Sequence, residues 1–174
     1  MANTKNENTV EETAVNAAEP KKQYKVKSNL DPNTIITVKN GFHGQLVYKS
    51  KKTSETFIWE GFGDEQDMEL QELKNARNSA RAFFENNWFL IDDPEVLDYL
   101  GVTQYYRNAL TYETFDELFK KKPSEVKAIL AKLSKGQRNS VAYRARQLIA
   151  DGLLDSLKVI DTLEECLGIE LIER

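Results

Sequence analysis

The spacing of apolar residues changes once along this chain, at Gly61-Phe62-Gly63, and that change limits the fold more than any other feature. Before it lie three short runs with strand character: Thr34-Ile35-Ile36-Thr37-Val38-Lys39, Gln45-Leu46-Val47-Tyr48-Lys49 and Thr56-Phe57-Ile58-Trp59. Their β-branched and aromatic side chains suit a half-buried pleated surface. Asn40-Gly41, His43-Gly44 and the polar stretch Lys51-Lys52-Thr53-Ser54 supply the turns. The expected product is a three-stranded antiparallel meander, too small to be stable in water without a helix across one face.

After the change the spacing becomes helical. Asp64 is expected to cap a helix running through Met68, Leu70, Leu73, Ala76, Ala80 and Phe83-Phe84. Asp64, Glu65, Asp67 and Glu69 would then crowd its first turns, where the helix dipole favours negative charge. A short apolar segment, Trp88 to Ile91, precedes Asp92-Asp93-Pro94, in which Asp93 caps and Pro94 opens a helix ending at Gly101. Further helices are expected over Thr103 to Ala109, from Thr114 (boxed by Glu117), over Ser124 to Leu133, from Ser134 (boxed by Gln137) to Asp151, and over Ser156 to Leu167. Gly152 and Gly168 stand where C-terminal caps belong.

The fold class is therefore α+β: a small antiparallel β-meander packed on a helix, followed by a cluster of short α-helices. Residues 1–30 carry almost no large apolar side chain, so ordering them costs more than their burial returns, and a flexible N-terminal arm is expected. The expected units are this arm, a meander plus helix over 31–91, and a helical domain over 92–174.

At 174 residues the chain has enough apolar surface to fold without disulfides, and its single cysteine, Cys166, has no intramolecular partner. No secretory signal or apolar run of membrane-spanning length is present, so a reducing cytoplasm is the expected compartment of synthesis. The net charge of −4 is unevenly distributed. Ten Lys/Arg face four acids between Tyr105 and Ala150, whereas from Asp151 to Arg174 seven acids face only Lys158 and Arg174. Opposed blocks of this kind suit contact between copies, or they neutralise each other within one monomer.

Enzymatic chemistry finds little to work with. A Cys-His pair would need His43, in a glycine-flanked turn, beside Cys166, on the apolar side of the last helix; both positions have simpler structural readings. One histidine and one cysteine do not make a structural zinc site, there is no phosphate-binding loop, and the acids from Asp64 to Glu72 read as a solvated helix start. No catalytic residue, metal or cofactor is expected, and no membrane partner. Nucleic acid is the alternative partner, because Ser134 to Arg146 reads as a turn feeding a basic helix, with Lys135, Arg138, Arg144 and Arg146 positioned to follow a phosphate backbone. Protein contact is expected at Tyr24 in the arm, Phe42, Tyr48 and Trp59 in the strand region, and Trp88 and Phe89 in the aromatic segment.

Four strings carry a family likeness: Gly63-Asp64-Glu65-Gln66-Asp67-Met68-Glu69-Leu70-Gln71-Glu72-Leu73-Lys74, Phe84-Glu85-Asn86-Asn87-Trp88-Phe89, Ser140-Val141-Ala142-Tyr143-Arg144-Ala145-Arg146-Gln147-Leu148-Ile149, and Gly168-Ile169-Glu170-Leu171-Ile172-Glu173-Arg174. In these, across about Thr34 to Arg174, the chain resembles small virion and assembly proteins of tailed bacteriophages. The resemblance implies a non-enzymatic structural or assembly role in a capsid, connector or tail. Its implied partners are copies of itself and other virion proteins, and its implied place is the virion, reached through the host cytoplasm. It carries no functional residues with it.

Overall fold

The computed structural model describes residues 30–173; the expected arm, with Tyr24, lies outside them. The class is α+β, with two small antiparallel sheets and eight α-helices among the described residues.

The strands do not form the single meander expected. Strand β1 (Ile35–Asn40) lies at the centre of a three-stranded sheet between β4 (Glu65–Glu69) and β5 (Phe89–Leu90), while β2 (Leu46–Lys49) and β3 (Thr56–Trp59) form a separate hairpin. The reason is visible in β4. The segment Glu65-Gln66-Asp67-Met68-Glu69 is not the opening of a helix but a strand paired with β1 from Ile35↔Glu69 to Lys39↔Glu65. Its acids alternate outward while Met68 turns into the core. Pairing with a β-branched partner outweighs the low strand propensity of these acids. Helix α1 (Leu70–Ser79) starts only after it and buries Leu70, Leu73 and Ala76.

The first apolar cluster joins the inward residues of both sheets to α1, α2 (Ala82–Glu85) and α3 (Pro94–Leu100). Tyr48, Trp59, Phe84 and Phe89 are fully or almost fully buried in it. Trp59 also donates its indole N–H to the Val38 carbonyl at 2.9 Å, so its polar edge is satisfied inside the core.

The second cluster gathers α5 (Tyr112–Phe115), a 3-10 turn (Asp116–Lys120), α6 (Pro123–Leu130), α7 (Lys135–Ala150) and α8 (Leu157–Leu167). The clusters divide between Val102 and Leu110, with α4 (Thr103–Tyr106) in between, so α3 packs with the sheets. With Tyr105 and Tyr106 of α4 also packed on the first cluster, the expected change of unit after residue 91 and this division differ by two short helices.

Several caps fall where the sequence places them. Asp93 Oδ1 accepts from the Glu95 and Val96 amides, Gly101 and Gly168 close α3 and α8 with left-handed backbone, and Ser134 Oγ accepts from the Gln137 amide. Two capping boxes differ. Thr111 rather than Thr114 caps α5, with Thr114 as its reciprocal partner. Gln137, instead of completing a box, clamps the Leu110 backbone, accepting from its N–H at 2.9 Å and donating to its carbonyl at 2.7 Å.

The clusters meet along the loops after β1 and β3. Asn40, completely buried, donates through Nδ2 to the Gly44 and Gly61 carbonyls, both at 2.8 Å, and accepts at Oδ1 from the Phe42 amide at 2.8 Å. One side chain thereby fixes both loops. Helix α7 approaches the first of them through Ser140, whose Oγ donates to the Gly41 carbonyl at 3.1 Å, and it approaches the end of α2 at Gly136, where a Cβ would overlap Asn86.

Candidate functional site

A cleft of about 580 Å³ opens where the clusters meet, lined by the two loops, by the start of α5 and its following turn, and by α7. At its base the His43 ring is stacked on Phe62 (3.9 Å between centroids, 10° between planes) and tilted against Phe115 at 4.6 Å. Phe62 and Phe115 both pack with the second cluster, so the imidazole ties the loop after β1 to that core. Its Nε2 is buried without a hydrogen-bond partner. Burial, aided by the positive charge of Arg144 and opposed by Asp116, lowers the His43 pKa from 6.5 to about 4. The ring is therefore neutral at physiological pH.

Across the cleft Arg144 holds Asp116 in a two-pronged ion pair, Nε to Oδ1 at 2.9 Å and Nη2 to Oδ2 at 2.6 Å. This bond keeps the Asp116 carboxyl below its ordinary value. Glu60, Glu113 and Tyr112 are exposed at the rim. The cleft joins a neutral imidazole, carboxylates and a committed guanidinium; no serine, threonine, cysteine or lysine lines it. Cys166 sits elsewhere, half-buried on α8.

His43 gives the fold a defined pH response. Between about 6.5 and about 4 the unfolded chain binds more protons at this residue than the folded one, so stability falls as pH drops through that window. The Asp116 contribution is present above 3.8 and is lost at lower pH, as its depressed folded value is reached. We expect His43→Phe, which keeps an aromatic stack, to retain between pH 6.5 and 4 the stability that the wild type loses, as read from urea midpoints across pH. Parallel pH curves for the two proteins would contradict this placement of the ring.

Among the interface residues expected from sequence, Tyr48, Trp59 and Phe89 are core side chains and unavailable for surface contact. They lie on the inward side of their strands, where the large rings pack best. Phe42 and Trp88 are half-buried, edge-on to Tyr143 at 5.6 Å and to Phe83 at 5.5 Å. The aromatic positions thus do not make one surface.

The basic helix is largely committed within the chain. Arg144 is paired with Asp116, Arg138 Nη2 donates to the Cys166 carbonyl at 2.6 Å near the end of α8, and Arg146 Nη2 donates to the Glu170 carbonyl at 3.2 Å. Lys135 is exposed and takes no part in these contacts. With Lys127 Nζ bonded to Glu165 at 2.7 Å, the opposed charge blocks meet inside one monomer.

The acids around β4 are likewise dispersed. Asp64 accepts from the Gly61 amide, Asp67 from Thr37, and Glu72 is buried against the Tyr48 hydroxyl at 2.7 Å. Among the described residues no group of three or more His, Cys, Asp or Glu side chains is placed to hold a metal, and no helix is long and apolar enough to cross a membrane.

Nothing local in the sequence marks Glu60, Tyr112, Glu113, Asp116 and Gln147 as members of one site, and the basic spacing around Arg144 points only to a phosphate contact. The glycines flanking His43 were the one local signal. No family model, curated protein or solved structure matches this chain.

Proposed function

We propose that this chain is a non-enzymatic structural or assembly protein of a tailed-bacteriophage virion, a capsid, connector or tail component acting through contacts with copies of itself and other virion proteins. The observation that carries the reading is the outward face of the β2–β3 hairpin. Val47 and Ile58 face each other across the hairpin, yet are 47% and 42% exposed. Ile35, 57% exposed, lines a groove with Thr53 and Glu55 beside the hairpin turn. A cross-strand apolar pair left in water gains free energy when a protein partner covers it. The likeness to phage virion proteins supplies the biological setting, with residence in the virion after assembly in the host cytoplasm.

The committed arginines of α7 weigh against nucleic acid as the partner. Adding a short DNA duplex to the full chain is expected to leave its light-scattering mass unchanged at low and at moderate salt. A gain in mass at low salt that falls steeply as salt rises, the signature of counterion release, would instead favour a DNA-binding accessory role.

A further inference from the structure

The outer edge of β2 has a hydrogen-bonding pattern that a second copy of this chain matches. The Ser50 amide donates to the Glu55 carbonyl at 2.8 Å, which makes that pair hydrogen-bonded and, by alternation along the Leu46↔Trp59 to Lys49↔Thr56 register, directs the N–H and C=O of Val47 and Lys49 away from β3. The same alternation sends the Ile58 carbonyl outward from β3. Gln66 Nε2 meets it at 2.8 Å, so that carbonyl is already satisfied. Among the described residues no strand pairs with the β2 edge.

We infer that two copies pair antiparallel along β2, about a two-fold axis at Val47, to form the continuous sheet β3-β2-β2-β3. This inference rests on the assembly reading and names its first partner as a second copy. An antiparallel pairing centred on Val47 is isologous: each Val47 exchanges both backbone hydrogen bonds with its counterpart. On the exposed face the row Ile58, Val47, Val47, Ile58 then crosses all four strands, turning two solvent-exposed pairs into one apolar stripe.

The charges fit the same register. Lys49 falls opposite Gln45 of the second copy, and Gln45 Nε2 is bonded to Glu60 Oε2 at 2.9 Å. The Lys49 ammonium therefore approaches the second copy's Glu60 across two strand spacings, about 10 Å, within the combined reach of the two side chains. The symmetry makes this attraction twice. A register shifted by two residues loses the central apolar row.

Val47→Pro separates the edge from the fold. Proline removes the outward N–H of Val47, which β3 does not use, and is tolerated where a strand's N–H faces solvent. The expected result for the full chain is a dimer dissociation constant raised about tenfold or more, read by sedimentation equilibrium, with the melting temperature of the dilute protein unchanged. Lys49→Glu should also weaken the dimer, and the double variant Lys49→Glu, Glu60→Lys should restore it. A folded Val47→Pro protein with wild-type mass would overturn edge pairing while leaving assembly by another surface intact. If Val47→Pro does not fold, an unweakened Lys49→Glu dimer overturns it. A wild-type chain monomeric at every concentration removes self-assembly and the edge pairing together.

Discussion

Trp59→Ala should destabilise the protein by about 3–5 kcal/mol, the largest loss expected from a single truncation here. Trp59 is completely buried, tilted against Phe57 at 6.4 Å and Phe89 at 5.4 Å, and bonded through its indole to β1. It therefore links the β2–β3 hairpin to a sheet with which that hairpin shares no strand pairing. Alanine leaves a cavity between the two sheets and an unpaired lone pair on Val38. For a chain of this size the loss corresponds to a drop in Tm of about 10 °C. A scanning calorimetry endotherm within 2–3 °C (roughly 1 kcal/mol) of the wild type would show that Trp59 does not join the sheets.

Asn40→Asp should cost about 2–4 kcal/mol although the two side chains are nearly isosteric. The amide of Asn40 donates to two carbonyls, Gly44 and Gly61, and a carboxylate in its place presents a buried oxygen to both. Only the bond from the Phe42 amide survives. Because these contacts hold the loop that carries His43 and the loop that carries Phe62, their loss also loosens the stack of the imidazole on Phe62. Chemical denaturation should show the lower midpoint, and Asn40→Ala, which removes the charge, should fall between Asp and wild type. Equal midpoints for Asp and Asn would mean that the two carbonyls do not depend on this amide.

The parts of the fold legible in the sequence are those set by neighbouring residues. β-branched side chains from Thr34 to Val38 specify β1, and Asp93-Pro94, Gly101 and Gly168 mark helix ends through backbone preferences that act within one turn. Strand β4 was hidden because its acids favour a helix start and only the distant β1 makes it a strand. The burial of Tyr48 and Trp59 was hidden for a related reason. Alternation along Leu46-Val47-Tyr48 and Phe57-Ile58-Trp59 separates two faces, but the sequence alone does not say which face meets the core. Large rings at Tyr48 and Trp59 were expected at an interface, whereas they fill the interior and leave Val47 and Ile58 outside.

The cleft was illegible for a stronger reason. Its members come from the loops near His43 and Phe62, from Tyr112 to Asp116, and from Arg144 and Gln147, segments joined only after both clusters form. Residue type alone also gave no sign of what the arginines of α7 bond within the chain. Their spacing suits a phosphate backbone, but Asp116 and the carbonyls near the end of the chain occupy Arg144, Arg138 and Arg146.

The most direct test of assembly through protein contacts is the light-scattering mass of the full chain, without nucleic acid, across a wide concentration range at low and moderate salt. Assembly through protein contacts gives a mass that rises with concentration to a dimer or a larger closed oligomer at both salts. A mass fixed at that of one 20.0 kDa chain throughout would contradict it.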